Sequence, residues 1–166
     1  MPSTMSVTSL KNVSLQRDYL WEVTLPSIGG ENSTEISKLV QSVRFGDYNV
    51  EEVNRLYYGA FRKGYIGYME IPSVTLSILG SVPEKAVRYF RAWRTLMITS
   101  NGLYYPKNNY ARTMYATLLD RDGSEVSKYV LQGVFPTTFP AYDLSYEHEG
   151  IVKHEVTLNV DTLQIQ

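Results

Sequence analysis

Few residues in this chain are of a type and spacing that could do chemistry. His148 and His154 are its two histidines, and they lie among Glu147, Glu149 and Glu155. Imidazole and carboxylate are zinc-ligand types. The local pattern argues otherwise. Gly150 separates a loop histidine from a strand histidine, and His154 shares a strand face with Val152, Val156 and Leu158. A histidine on an apolar face reads as a hydrogen-bonded core residue. Asp120 to Glu125 (Asp-Arg-Asp-Gly-Ser-Glu) has the look of a calcium loop. Placing Gly123 at the sixth loop position puts Leu118 first and Tyr129 twelfth, where a carboxylate is required, so the run reads as a turn. Gly64 and Gly67 have the GxxG spacing of a nucleic-acid-binding loop, but the helices that module needs are missing, and backbone freedom explains the glycines better. Phosphate-binding loops, dinucleotide fingerprints and a GxSxG nucleophile elbow are absent. With no cysteine there is no thiolate nucleophile and no disulfide framework. The expectation is a non-enzyme with no catalytic residue, metal or cofactor.

What remains is architecture. A chain of 166 residues predicts one domain, able to bury ~70% of its unfolded surface. Hydrophobic residues at 43% and charged residues at 20% are ordinary for a soluble protein. A net charge of −1 gives no basic field for bulk nucleic-acid binding. No apolar run has the ~18 residues of a membrane span, and Met1 to Asn12 lacks a signal-peptide core, so neither a membrane anchor nor export is expected. Fourteen tyrosines stand out, because tyrosine suits both strands and protein interfaces.

Strands are expected at Tyr19–Leu25, with Trp21, Val23 and Leu25 on one face and Leu20, Glu22 and Thr24 on the other, and from Leu39 to Tyr48, with a polar loop at Gly30–Thr34 between them. Residues 46–70 read as an extended arm carrying Tyr48, Tyr57, Tyr58, Phe61, Tyr65 and Tyr68, too many rings to bury on itself. Val74, Leu76 and Ile78 form the apolar face of the next strand, opposite Ser73, Thr75 and Ser77. A helix follows, capped by Ser81 with Glu84 as capping-box partner. Ala86, Phe90, Trp93 and Met97 lie on its inner side; Lys85, Arg88, Arg91 and Arg94 lie outside, with a Glu84–Arg88 pair. Asp122-Gly123 signals a two-residue type I′ hairpin between strands starting at Arg112 and Ser124. A last strand, 151–159, sets Lys153, Glu155, Thr157 and Asn159 opposite its apolar face, and Val160–Gln166 is a short tail. Strands, one helix, then strands predict a mainly β, mostly antiparallel sandwich or barrel with one flanking α-helix.

This order resembles the tail tube proteins of contractile-tailed bacteriophages and related injection machines. The resemblance rests on Tyr19-Leu-Trp-Glu-Val-Thr-Leu25, on Val43-Arg-Phe-Gly46 with the aromatic hairpin ending in Tyr57-Tyr-Gly59, and on Val74-Thr-Leu-Ser-Ile78 followed by the helix Val87 to Met97. Its most specific part is a Gly133-Val-Phe-Pro turn before Asp143-Leu-Ser-Tyr146, with Val156-Thr-Leu158 after. It covers nearly the whole chain. The resemblance implies a single tail-tube-like domain over residues 1–166, with 1–15 a flexible N-terminal segment and 46–70 an inter-subunit hairpin arm. It implies homohexameric rings stacked into a hollow virion tail tube for DNA ejection, or an initiator ring joining tube to baseplate. Ser73, Thr75, Ser77, Lys153, Glu155, Thr157 and Asn159 would then face the lumen, and Lys85, Arg88, Arg91 and Arg94 the outside. Sheath, tape-measure, baseplate and tail-terminator proteins would be the partners, with assembly in the host cytoplasm and DNA passing transiently. The alternative is a ring in a phage-derived protein-delivery tube.

Overall fold

Residues 18–56, 62–141 and 150–166 are described by the computed structural model. Strands β1 (Trp21–Thr24), β2 (Val40–Phe45), β5 (Val74–Leu79), β6 (Arg112–Leu119), β7 (Glu125–Pro136), β8 (Lys153–Asn159) and β9 (Thr162–Ile165) form one antiparallel sheet, ordered β1-β6-β7-β8-β5-β2 with β9 added beside β7. Strands β3 (Asn49–Leu56) and β4 (Arg62–Glu70) pair with each other as a separate hairpin. Helices α1 (Ser33–Leu39), α2 (Lys85–Met97) and the single turn α3 (Lys107–Tyr110) complete the order. The mainly β fold with a flanking helix is the one expected.

The sheet curls because β7 serves two halves of it. Its residues Tyr129–Gln132 pair with β9, whereas Phe135 and Pro136 pair with β8. Between them lies a bulge: Arg112 opposes Val134 while Met114 opposes Leu131, so β7 carries one extra residue. The bulge keeps both Leu131 and Val134 on the core face, although their spacing of three would otherwise put them on opposite faces. Gly133 supplies the backbone for it at φ +67°. Val23, Met114, Ala116 and Leu131 from one half thereby meet Val74, Leu76, Ile78, Val156 and Leu158 from the other in one cluster. Helix α2 closes that core with Ala86, Tyr89, Phe90 and Trp93.

Several expectations are corrected. The polar loop after β1 gives way at its end to helix α1, whose first turn is capped by Asn32 Oδ1 accepting from the Thr34 N–H at 3.2 Å. Only Ile36 of α1 is fully buried, too sparse a stripe to be read as helical periodicity. The second strand ends at Phe45, three residues short of Tyr48. No capping box forms on α2, since the helix starts at Lys85 and Ser81 lies too far upstream to reach its first-turn N–H groups. Arg88 pairs with Glu31 of the loop before α1 rather than with Glu84. At the β6–β7 connection the Gly123 N–H donates to the Asp120 carbonyl, and positive φ occurs at Gly123 alone. This is a three-residue loop ending in a glycine bulge, not a type I′ turn. Gly133-Val-Phe-Pro continues β7 instead of turning, and the supposed tail holds β9, where Lys128 and Gln166 exchange two backbone hydrogen bonds. Asp143–Tyr146 lie outside the described residues.

Tyr89 is fully buried, and its hydroxyl donates to the Pro26 carbonyl at 2.5 Å. Burial raises its pKa above the ordinary 10.0, only partly opposed by Arg112. A phenol whose folded pKa is raised contributes stability that is complete below the unfolded value and lost as pH climbs past it, because the unfolded chain ionises first. Stability is therefore expected to fall above about pH 10. Tyr89→Phe should flatten that alkaline decline while costing about 1 kcal/mol at neutral pH through the lost hydrogen bond. Urea unfolding at pH 7 and pH 10.5 checks both; an equal decline in the two proteins would refute the assignment.

Candidate functional site

Three surfaces stand out. The first is the β3–β4 hairpin. Val50 opposes Met69 and Glu52 opposes Ile66, so β4 carries an extra residue around Gly67 and Tyr68. Gly67 is required there by close approach: a Cβ would lie 2.9 Å from the Glu51 carbonyl oxygen and 3.2 Å from Val53. The register puts Val50, Ile66 and Met69 on one face and Val53, Tyr65 and Tyr68 on the other. All six are exposed, Ile66 at 82% and Tyr68 at 70%, and Tyr48 at the hairpin's root is exposed as well. Two strands in water are marginal without a third partner, and apolar side chains on both faces increase the deficit. Tyr57, Tyr58 and Phe61 lie outside the described residues.

The second surface is the outer face of β2, β5 and β8. Thr75 opposes Thr157 and Ser77 opposes Glu155, while Leu79 opposes Lys153. On the other side of β5, Arg44 opposes Thr75 and Ser42 opposes Ser77. The face is a shallow depression of about 480 Å³ lined by Ser42, Arg44, Ser73, Thr75, Ser77, Glu155 and Thr157 among others. Sequence reading thus placed β5 and β8 on one surface but missed Ser42 and Arg44. Their alternation with Val43 and Phe45 was the available signal. Asn159 opposes Phe135 at the far end of β8. The edge at Thr157 is closed by the chain after β7: its carbonyl accepts from the Thr137 N–H at 2.8 Å, and its N–H donates to Thr138 Oγ1 at 2.7 Å.

The third surface is the outer side of α2. Lys85 pairs with Glu35 at 2.5 Å and Arg88 with Glu31 at 3.7 Å, so half of the basic row ties α2 to α1 and the loop before it. Hydrogen bonding and charge from Lys85 hold the Glu35 carboxyl below its usual range. Arg91 is exposed, and the Arg94 guanidinium lies 5.8 Å from the Phe139 ring centroid.

Among the described residues, no group of three or more histidine, aspartate or glutamate side chains could hold a metal. His154 is buried, with Nδ1 3.2 Å from the Ala141 carbonyl oxygen, as a core histidine would be. His148, Glu147 and Glu149 lie outside the described residues.

No protein-family model matches the sequence, and no curated protein matches it. Solved structures do. A chain of the anti-feeding prophage cap, the tube-terminating cap, superposes with a TM-score of 0.66 at 20% identity, over 98% of this chain and 99% of that one. A chain in the sheath–tube complex of an extracellular contractile injection system, in its extended state, gives 0.67 at 16% identity over 98% and 99%. The sheath/tube terminator of that same kind of system gives 0.67 at 16% over 93% and 99%. The curled sheet with its closing helix and β3–β4 hairpin is therefore the fold shared by these cap, sheath–tube and terminator chains of contractile injection systems.

Proposed function

We propose that the chain is a ring-forming structural subunit of the tube in a contractile, phage-tail-like particle. The observation that carries this reading is the β3–β4 hairpin, which exposes apolar side chains on both faces and, among the described residues, forms a two-stranded sheet apart from the main one. Six copies would close a ring, with Ser42, Arg44, Ser73, Thr75, Ser77, Lys153, Glu155, Thr157 and Asn159 lining its lumen. A hydroxyl-rich lining with few cations would let cargo slide, since many cationic contacts would hold a phosphate backbone. Arg91 and Arg94 on α2 would remain for the sheath. Tape-measure and baseplate proteins would be further partners, and DNA the cargo in a virion tail assembled in the host cytoplasm. The tube body, an initiator ring and a terminating ring all suit this subunit; the cap and terminator among its structural neighbours favour the last. A protein-delivery tube is the second reading, favoured by the extracellular injection systems among the same neighbours.

Native mass spectrometry and electron microscopy of concentrated protein test the proposal. Rings or stacked rings are expected, and a persistent monomer would refute it. Ile66→Ser should weaken association more than about tenfold, because burying such a side chain contributes ~1.5–3 kcal/mol and 1.4 kcal/mol is tenfold. Its unfolding midpoint should stay near that of the parent. Comparable loss of folding and assembly would count against an interfacial hairpin.

A further inference from the structure

We infer that the groove between the outer edge of β1 and helix α1 receives the β3–β4 hairpin of a second copy, which adds to β1 as an extra strand. The inference rests on the self-assembly reading above and names the surface that the hairpin meets. The groove, about 430 Å³, is lined by Trp21, Val23 and Thr24 on one side and by Ser37, Lys38 and Gln41 on the other.

Hydrogen-bond alternation shows what this wall offers. The Leu119 N–H donates to the Leu20 carbonyl, so Leu20, Glu22 and Thr24 direct their peptide groups toward β6. Trp21, Val23 and Leu25 must then direct theirs outward. The Leu25 N–H does so and is met by Ser37 Oγ at 3.0 Å. The N–H and C=O groups of Trp21 and Val23 open onto the groove, and buried backbone polar groups call for partners. β2, on the opposite side, is a poorer template. Val40 opposes Ile78 while Ser42 opposes Ser77, which puts a bulge at Gln41, a device that interrupts strand addition.

The occupant follows from placement. The hairpin is rooted where Phe45 meets Val74, whereas the groove lies at the Val40 end of the same strand, five residues away. One copy therefore presents donor and acceptor at opposite ends, a head-to-tail contact that can repeat along an axis. The groove carries one cation, Lys38, and one anion, Glu22, and the hairpin root carries Glu51, Glu52 and Glu70, so Lys38 is the groove charge that suits it.

A chain without cysteine makes the test direct. Thr24→Cys and Met69→Cys proteins are mixed under assembling conditions and oxidised, beside a mixture of Met69→Cys with Asp122→Cys at the β6–β7 turn. A disulfide-linked dimer several-fold more abundant in the first mixture is the expected result. Rings visible by microscopy with no excess over the turn control would overturn the groove assignment and leave the assembly reading standing. Absence of any oligomer would overturn both.

Discussion

Replacing Trp93 by alanine is expected to cost about 3–5 kcal/mol of folding stability, the range for truncating a large buried aromatic. Trp93 has no exposed surface and is the largest fully buried side chain. It stacks on Phe90 at 6.2 Å between centroids and meets Tyr89 edge-on at 5.8 Å. Its Nε1–H donates to the Tyr110 carbonyl at 2.8 Å. Truncation removes the ring contacts, leaves a cavity and strips that carbonyl of this donor. Trp93→Phe keeps most of the volume and loses the donor, so its cost should be much smaller. Denaturant unfolding of both variants checks the order. Similar costs would mean that the hydrogen bond, rather than packing, sets the stability at α2. The helix carries Arg91 and Arg94, so its anchoring also fixes where those charges sit.

Gly133→Val should cost about 2–4 kcal/mol, combining a backbone conformation unfavourable for a β-branched residue with a steric clash. At φ +67°, a Cβ on residue 133 would lie 2.2 Å from Asp161 Oδ2 and 2.8 Å from Asp161 Cβ. Asp161 has little freedom to retreat. Its N–H donates to the Gln132 carbonyl at 3.0 Å, and its Oδ1 accepts from Lys107 Nζ at 2.6 Å. The strain falls where β7 changes partners from β9 to β8, so the curl of the sheet is affected along with stability. Adding Asp161→Ala should recover part of the loss by removing the carboxylate, and the backbone penalty should remain. Full recovery in the double variant would show that φ at this position is not the constraint.

Most of the strands could be read from the chain because each has one wet and one dry face. Val74, Leu76 and Ile78 alternate with Ser73, Thr75 and Ser77, and the structure buries the first three. Helix α2 was legible for the same kind of reason: Ala86, Phe90 and Trp93 recur at helical spacing, and all are buried. Short elements were not. Helix α1 buries one residue fully, and β9 is four residues long, so neither has enough period to stand out. The candidate surfaces divide similarly. Ser77 and Glu155 each belong to a readable polar face, yet they become neighbours only through the β5–β8 register.

By itself the sequence determined which side chains turn inward, since alternation and helical spacing are local properties of solvation. It determined the excess of aromatic groups in the hairpin, and it removed cysteine chemistry altogether. Tertiary structure alone decided the bulges at Gln41, Gly67 and Gly133, which set register and curl. It also decided which strands lie at the ends of the sheet, as β1 and β2 do among the described residues. Those choices depend on pairing between residues far apart in the chain, and no local pattern encodes the partner of a strand edge.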